Sequence, residues 1–152
     1  KNMNIRPAQP ADIAELLRFE QGVISAERPF NPQIRDQTHY YDLHALIQDD
    51  QSLLVVAEQA GALIASGYVQ IRESKAHLQH DRHAYLGFMF VKPEYRGQGV
   101  NKAVLERLLA WSKDNGVADC YLDVYAENTA AIRAYEKAGF AGSLLEMKLQ
   151  LD

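Results

Sequence analysis

The feature that most constrains this chain is the direct passage from an apolar strand into a helix through a short basic turn. Residues 85–91 read Tyr-Leu-Gly-Phe-Met-Phe-Val, and a helical apolar pattern starts at Val100, after a turn with Gly97 and Gly99. A strand that leads into a helix favours an α/β arrangement in which the helix packs back on the sheet. Glycine lets a ligand approach the backbone, and the first N–H groups of a helix have no partner inside it. The junction is therefore typical of a phosphate site.

Two cations, Arg96 and Lys102, accompany this turn. The spacing is not that of the dinucleotide fingerprint G-x-G-x-x-G, because the third glycine and the later acidic residue are absent. It is not a P-loop either, because Gly-Lys-Ser/Thr is missing. The sequence therefore predicts a ligand that carries pyrophosphate on another kind of molecule.

The remaining pattern predicts an alternation of strands and helices. In chain order we expect a strand at 4–6, a helix from Pro10, a loop at 25–32, a helix at 34–49, strands at 52–59 and 63–72, a polar stretch at 73–82, a strand at 85–91, a helix at 100–113, a strand at 120–125, a helix at 129–138 capped by Thr129, and strand pieces at 140 and 143–151. Because strand–helix passages follow one another, the strands near Val91 and Cys120 should be parallel. The loop at 25–32 is a candidate lid.

A second segment, residues 123–140, identifies a family when it is taken with the turn. The two segments together resemble the GNAT superfamily of acetyl-CoA-dependent N-acetyltransferases. Residues 96–101, Arg-Gly-Gln-Gly-Val-Asn, resemble its pyrophosphate motif Q/R-x-x-G-x-G/A, with Asn101 where the family usually has Gly or Ala. The second motif, N-x-x-A-x-x-x-Y-x-x-x-G-F, is matched by Asn128, Ala131, Tyr135, Gly139 and Phe140.

The resemblance implies a fold, a cofactor and a set of cofactor-binding residues. The fold is a single-domain α/β (α+β) structure over residues 1–152, with a mixed, largely antiparallel sheet, a central parallel pair of splayed strands, and flanking helices. The co-substrate is acetyl-CoA, and no metal is implied. In this family the pantetheine arm enters the gap between the splayed strands. The matching cofactor-binding residues are Phe90, Val91, Arg96, Gly97, Gln98, Gly99, Val100, Asn101, Lys102, Asn128, Ala131 and Tyr135.

Two of these residues have a structural interpretation as well. Tyr135 matches the family tyrosine near the thioester sulfur, where it would act as general acid for the departing thiolate. By helical spacing alone it is an ordinary amphipathic core tyrosine. Asn128 is equally a helix-entry residue on local grounds. Both alternatives stay open in the sequence.

The general base and the acceptor site are less defined. The strand before the turn has no carboxylate or imidazole, so Glu73 or His83, acting directly or through water, is the candidate base. The spacing His77-x-x-His80-Asp-x-His83 also fits metal ligands, but ordinary solvated histidines are the favoured interpretation. The candidate substrate-binding residues are Phe30, Tyr85 and Asp123, and the carboxylates of Glu27, Asp42, Glu73 and Asp123 favour a cationic acceptor.

Three functions are compatible with these residues. The favoured one is an N-acetyltransferase that moves an acetyl group to a primary amine of a small molecule or peptide by direct attack in a ternary complex. The alternatives are acetylation of a protein lysine or N-terminus, and a non-enzymatic acyl-CoA sensor.

Composition adds limits on the partners. The 152 residues are 47% hydrophobic, enough for one core, and a net charge of −4 argues against nucleic acid as the partner. No apolar run approaches the 18 residues of a membrane span, and one cysteine, Cys120, cannot form an internal disulfide. We therefore expect a cytoplasmic enzyme that does not bind a membrane. The sequence leaves a homodimer open.

Overall fold

The computed structural model describes residues 2–152 of the chain. The strands are β1 (Asn4–Pro7), β2 (Ser52–Gln59), β3 (Ala62–Glu73), β4 (Arg82–Val91) and β5 (Cys120–Tyr121), and the helices are α1 (Ile13–Glu27), α2 (Leu43–Gln48), α3 (Val100–Asp114) and α4 (Thr129–Lys137). Short 3₁₀ turns lie at Pro10–Asp12, Arg28–Phe30 and Pro93–Tyr95. Within residues 2–152 no helix has the length and apolar character needed to cross a membrane.

The strands form one mixed sheet in the order β1-β2-β3-β4-β5. The first four strands pair antiparallel, and β4 pairs with β5 in parallel. The parallel pairing follows from the crossover through α3, which returns the chain to the same sheet edge. The mixed sheet with its parallel pair confirms the fold class predicted from the sequence.

Helices cover both faces of the sheet. Alternate residues of β2 serve opposite layers: Val55 packs in the core under α3, whereas Leu54 and Val56 pack in the core under α1 and α2. Burial on both faces explains the nearly continuous apolar run of this strand. The helix α3 contributes Val104 and Leu108, both fully buried, to its own layer.

A β-bulge interrupts β4 where it runs towards the basic turn. Ser66 pairs with Phe90 and Tyr68 with Gly87, so a single residue of β3, Gly67, faces two residues of β4. Phe88 takes a φ of +55°, in the left-handed region that non-glycine residues rarely adopt. Ser66 Oγ donates to Phe88 O at 2.9 Å and holds the bulge in place. Bulges re-aim side chains, and this one turns Phe90 towards α1.

The predicted helix at 34–49 is wrong, because only α2, Leu43–Gln48, is helical there. The reason is the carboxylate of Glu20 on α1, which is fully buried. It accepts from the backbone N–H of Tyr40 at 2.6 Å and from that of Tyr41 at 2.9 Å. These N–H groups are satisfied by a side chain instead of by a helical ladder. The helix α2 begins only after Asp42, whose side chain accepts from Ala45 N.

Other parts of the prediction also differ from the structure. The helix α1 runs to Glu27 and a 3₁₀ turn follows at Arg28–Phe30, so the expected loop at 25–32 is wrong over most of its length. The strand β5 covers two residues instead of six, and residues 138–152 contain no strand. The cap of α4 is Asn128 and not Thr129. An asparagine one residue earlier provides the same capping chemistry, so the local pattern did not distinguish the two.

We predict that Glu20 fixes the loop before α2. Replacing it with alanine leaves the N–H groups of Tyr40 and Tyr41 without their acceptor, so Glu20→Ala should lower the free energy of unfolding by about 3 kcal/mol. Urea denaturation followed by circular dichroism measures this loss. Glu106→Ala, on the exposed face of α3, is the matched control and should cost less than about 0.5 kcal/mol. Equal stability of the two variants would contradict the assignment.

Candidate active site

The basic turn between β4 and α3 is an open backbone surface. Gly97 has a φ of +76° and Gly99 a φ of +81°, both in the left-handed region. At either position a Cβ atom would have no heavy atom within 4 Å, so the turn faces open space. Glycine is required here by backbone conformation. Its second effect is to leave the backbone accessible.

The N-terminus of α3 adds directed N–H groups to this surface. Gly99 is the N-cap and makes no side-chain capping bond, and the first backbone bond of the helix runs from Ala103 N to Gly99 O at 3.1 Å. The N–H groups of residues 100–102 precede that bond and are free of an intrahelical acceptor. Together with the positive end of the helix dipole, they favour an anion at this point.

Arg96 fastens the turn to the end of β4. Its Nε donates to Val91 O at 2.9 Å, and its Cζ lies 5.8 Å from the centroid of the Phe90 ring. Gln98 bonds to Glu94 O through its side chain at 3.2 Å. Lys102 is exposed and Asn101 half-buried at the start of α3. The predicted pyrophosphate residues therefore follow one another along the turn and the start of α3, except that the side chain of Val100 is buried in the core under α3.

A gap opens beside this surface, between β4 and the residues after β5. The two strands pair only at Ala84–Cys120 and Tyr85–Tyr121. Beyond that point β4 pairs only with β3, on its other side, as far as Val91, whereas residues 122–125 form no strand. The splayed strand pair that was predicted is present, and Phe90 and Val91 lie on its β4 side.

The far side of the gap leads into α4, which carries the second predicted motif. Asn128 Oδ1 accepts from Ala131 N at 3.2 Å and caps the helix. In this structure Asn128 therefore acts as the N-cap of α4, which is the helix-entry role considered in the sequence. Tyr135 is half-buried, with its ring 5.8 Å from that of Phe140 in an edge-on arrangement. Burial raises the pKa of its phenol, so Tyr135 keeps its proton at neutral pH.

Two of the predicted substrate residues meet across the gap. Tyr85 on β4 donates its hydroxyl to Asp123 Oδ2 at 2.8 Å. Arg72 on β3 lies over the Tyr85 ring, with 4.1 Å between its Cζ and the ring centroid. Burial and the bond to Asp123 raise the pKa of Tyr85. The result is a polar patch with one carboxylate and one guanidinium on the sheet face that looks towards α1 and α2.

Phe30, the third predicted substrate residue, packs near the same segment. Its ring stacks on that of Tyr125 at 6.4 Å between centroids, and Asn31 Nδ2 donates to the Tyr125 hydroxyl at 3.0 Å. Arg72, Asn31 and Tyr125 were not predicted from the sequence as residues of the site. The alternation that places Asp123 and Tyr125 on one face gave a usable signal for Tyr125, whereas nothing local pointed to Arg72 or Asn31.

A hydrogen-bonded cluster surrounds His83, one of the two candidate bases. Ser74 Oγ lies 2.7 Å from His80 Nδ1 and 2.9 Å from His83 Nδ1, and His80 Nε2 lies 2.8 Å from the Tyr121 hydroxyl. Burial, His80 and Arg72 lower the pKa of His83, which is therefore neutral at pH 7. His83 stands two residues before Tyr85 on β4 and shares its face.

Glu73, the other candidate base, lies on the opposite sheet face. It follows Ile71 by two residues on β3, and Ile71 packs in the core under α3. Its cross-strand neighbour Arg82 reaches the end of α3, where Nη2 donates to Asn115 O at 3.3 Å. The structure thus places His83, and not Glu73, on the face of Tyr85 and Asp123.

The other acidic residues of the acceptor region already have partners. Glu27 accepts from the Tyr40 hydroxyl at 2.9 Å, and Asp42 caps α2. A depression of about 540 Å³ beside this loop is lined by Ile13, Leu17, His39, Tyr40, Tyr41, Asp42, Leu43 and His44. It includes none of the predicted cofactor residues. The candidate site is therefore the gap beside β4 and not this depression.

Comparison with known proteins assigns the family. The family model described as "Acetyltransferase (GNAT) family" matches residues 20–140 of this chain. This match covers most of the chain, and the protein therefore belongs to the GNAT family of acetyltransferases. The resemblance carried by the two sequence motifs is confirmed.

Two curated relatives have different acceptors. A ribosomal protein bS18-alanine N-acetyltransferase of Escherichia coli K12 is 46% identical over 50 residues, which are 33% of this chain and 34% of that protein. The matched part of the chain thus spans about a third of this relative's length. An aminoglycoside N(6')-acetyltransferase type 1 of Stenotrophomonas maltophilia is 25% identical over 140 residues, 90% of this chain and 84% of that protein.

Solved structures share the fold. A mutant of the BH1408 protein from Bacillus halodurans has a TM-score of 0.88 at 22% identity, covering 97% of this chain and 99% of that one. A predicted acetyltransferase from Clostridium acetobutylicum, solved with acetyl-CoA, has a TM-score of 0.75 at 19% identity, with coverage of 97% and 96%. At these identities the likeness establishes the architecture and leaves the substrate undefined.

Proposed function

We propose that this protein is an N-acetyltransferase of a single domain that moves the acetyl group of acetyl-CoA to a primary amine of a small molecule or peptide. The observation that carries the proposal is the open turn at Gly97 and Gly99. It meets the N-terminus of α3 beside the gap between β4 and residues 122–125. Few other ligands combine a pyrophosphate with a long arm that needs an unpaired strand backbone.

The residues present fit this co-substrate. The N–H groups at the start of α3 and the side chain of Lys102 would hold the pyrophosphate, and the unpaired side of β4 near Phe90 and Val91 would receive the amides of the pantetheine arm. Arg96 already bonds to Val91 O, so its contribution is to fix the turn and to add charge. Asn101, in place of the usual Gly or Ala, is half-buried at this surface, where its amide can donate to a phosphate.

The chemistry needs one acid and one base around the acceptor amine. The amine nitrogen attacks the thioester carbonyl carbon, the C–S bond breaks, the amine loses a proton and the thiolate gains one. Tyr135 is the candidate donor to the thiolate, because burial keeps its phenol protonated. His83 is the better candidate base, because it is neutral and shares a face with Tyr85 and Asp123.

The acceptor side supports a cationic amine. Asp123 is exposed on the segment that lines the gap, and its bond to Tyr85 orients the carboxylate. The aromatic pair Phe30 and Tyr125 adds an apolar surface nearby. A protein N-terminus is the second candidate acceptor, favoured by the 46% identity to the ribosomal protein alanine acetyltransferase over 50 residues.

A screen of acceptors tests the proposal directly. Acetyl-CoA and the purified protein are mixed with amino acids, polyamines, aminoglycosides and peptides, and free thiol is followed by a colorimetric reagent. Turnover with a small amine or a short peptide supports the proposal. Reaction with folded proteins alone would favour the second candidate. Tight acetyl-CoA binding with no turnover on any amine would identify an acyl-CoA sensor.

We predict that Gly99 admits the pyrophosphate. Valine at this position places a branched side chain into the open turn, so Gly99→Val should weaken acetyl-CoA binding by at least about tenfold in calorimetry. Gly116→Val is the matched control, because Gly116 has a φ of +74°, equally open surroundings, and a place just beyond the C-terminus of the same helix. Wild-type affinity in the folded Gly99 variant would contradict the location.

We predict that Tyr135 protonates the leaving thiolate. Tyr135→Phe keeps the ring and its packing on Phe140, so kcat should fall by about 10² while acetyl-CoA affinity stays close to that of the wild type. Tyr95→Phe, at a half-buried tyrosine of the 3₁₀ turn before Arg96, provides the control for loss of a hydroxyl. Unaltered turnover in the Tyr135 variant would assign the proton to water.

We predict a pH dependence from His83. The base acts in its neutral form, whose fraction rises as pH passes upward through the lowered pKa. The wild-type kcat/KM divided by that of His83→Gln should therefore be constant at neutral pH. This quotient should decrease as the pH is lowered below about 6.5. His77→Gln, at an exposed histidine of the same connection, should leave the profile unchanged. A wild-type to His83→Gln ratio that does not change with pH would exclude His83 as the base.

A further inference from the structure

A cation accompanies Asp123 on the sheet face that looks towards α1 and α2. Arg72 on β3 is exposed, and its guanidinium carbon lies 4.1 Å from the centroid of the Tyr85 ring. The hydroxyl of that ring donates to Asp123 Oδ2 at 2.8 Å. The Tyr85 phenol therefore has a positive charge over its ring and a carboxylate at its hydroxyl.

Within residues 2–152, Arg72 has no acidic partner. None of the ion pairs in this part of the chain includes it. Its Nε donates to Gln70 Oε1 at 2.8 Å, which is a neutral acceptor. Tyr68, whose hydroxyl also interacts with Arg72, is neutral because burial raises the pKa of its phenol. A guanidinium carries five N–H donors, so these neutral groups leave several of them for a ligand or water.

A short chain of hydrogen bonds fixes the direction of the Arg72 side chain. Gln70 Nε2 donates to Asp49 Oδ2 at 3.4 Å, which orients the amide so that its oxygen faces Arg72. Asp49 is itself fixed, since it accepts from Gln51 N at 2.9 Å and from the Ser52 hydroxyl at 2.7 Å. An arginine held in this way loses less side-chain entropy when it binds an anion than a freely solvated one does.

The two charges lie where the candidate site begins. Tyr85 is the last residue of β4 that pairs with β5, and Asp123 belongs to the segment that then leaves the sheet. Arg72 and Asp123 form no ion pair with each other. Each charge is therefore available to a ligand in the gap, and one ligand that bears an ammonium and an anion can contact both.

We propose that the acceptor is a small amine that also carries a carboxylate, as an amino acid does, and that Arg72 binds this carboxylate while Asp123 attracts the amine. The inference rests on the proposed acetyl transfer and names the substrate class of the same site. A carboxylate matches the planar fork of a guanidinium, which can donate to both of its oxygens. Arg72 is thus a specificity-determining residue and takes no part in the chemical step.

Recognition through a carboxylate also fits the chemistry of acetyl transfer. An acceptor held by Asp123 alone binds best as an ammonium, whose nitrogen has no lone pair for the attack. A nearby guanidinium favours the neutral amine, in the same way as Arg72 adds to burial and to His80 in lowering the pKa of His83. The reaction does not change the carboxylate, so Arg72 can hold the acceptor before and after the amine loses its proton.

The first test compares matched acceptors. Glycine, β-alanine, 4-aminobutyrate and lysine are each offered beside their carboxamides, with acetyl-CoA, and free thiol is followed. For at least one pair, kcat/KM of the carboxylate should exceed that of the carboxamide by about tenfold or more. Equal or faster reaction of the carboxamides, or turnover confined to amines outside these pairs, would overturn the inference and leave acetyl transfer standing. No turnover of any amine would overturn both.

The second test assigns the preference to Arg72. In Arg72→Gln the ratio of kcat/KM for the carboxylate to that for its carboxamide should fall by about tenfold, mainly through KM of the carboxylate. Arg72→Lys keeps the charge without the fork and should give an intermediate ratio. Arg82→Gln is the matched control, because Arg82 lies in the next residue pair of the β3–β4 ladder and reaches α3 on the other sheet face. It should keep the wild-type ratio. An unchanged ratio in Arg72→Gln, or an equal loss with both substrates, would overturn the assignment.

Discussion

The opening beside β4 depends on how briefly the parallel strands pair. Two residue pairs, Ala84–Cys120 and Tyr85–Tyr121, hold β4 and β5 together, and the chain after Tyr121 then leaves the sheet. Backbone groups must be paired or solvated, so the free side of β4 is suited to a ligand with amides of its own. The bulge at Phe88 lies in the same strand, and the glycine turn follows the end of that strand. The free side of β4 therefore leads to the N-terminus of α3.

A buried carboxylate on α1 fixes the conformation of the loop before α2. Glu20 holds the backbone of Tyr40 and Tyr41 next to α1 and so prevents the helix that the local pattern favours. In that position the Tyr41 ring stacks on Phe88 with 4.5 Å between centroids and meets Tyr68 at 5.8 Å. Tyr68 in turn lies 6.4 Å from Tyr85. A contiguous set of aromatic rings therefore connects the loop before α2 to the bulge of β4 and to the polar patch at Asp123.

Burial shifts the pKa values of the proposed acid and base in opposite directions, and electrostatic interactions with His80 and Arg72 add to its effect on His83. Desolvation penalises charge, so it raises the pKa of the Tyr135 phenol and lowers that of the His83 imidazole. The phenol keeps the proton that it is proposed to give, and the imidazole stays ready to accept one. The Ser74 hydroxyl, within hydrogen-bond distance of His83 Nδ1, occupies one ring nitrogen and leaves Nε2 for a substrate or water.

The local sequence determined the elements whose signals are local. Glycines at 97 and 99, the strand before them and the apolar face of α3 predicted the turn, and β2, β3 and α3 were placed to within a residue or two at each end. The motif at 128–140 predicted α4. The cap of α4 was not determined in this way, because Thr129 and Asn128 offer the same capping chemistry and the structure assigns the cap to Asn128.

Tertiary contacts decided what depends on residues far apart in the chain. The loop at 31–42 is not helical, because Glu20, twenty residues before Tyr40, takes the N–H groups that a helix would use. The side of the sheet on which His83 and Glu73 lie follows from the register of β3 and β4. Alternation at 143–151 predicted a strand, but a strand needs a neighbour, and no neighbour within the described chain takes that place. The sequence by itself therefore determined which residues can cap, turn and alternate, while only the tertiary structure decided which of them meet.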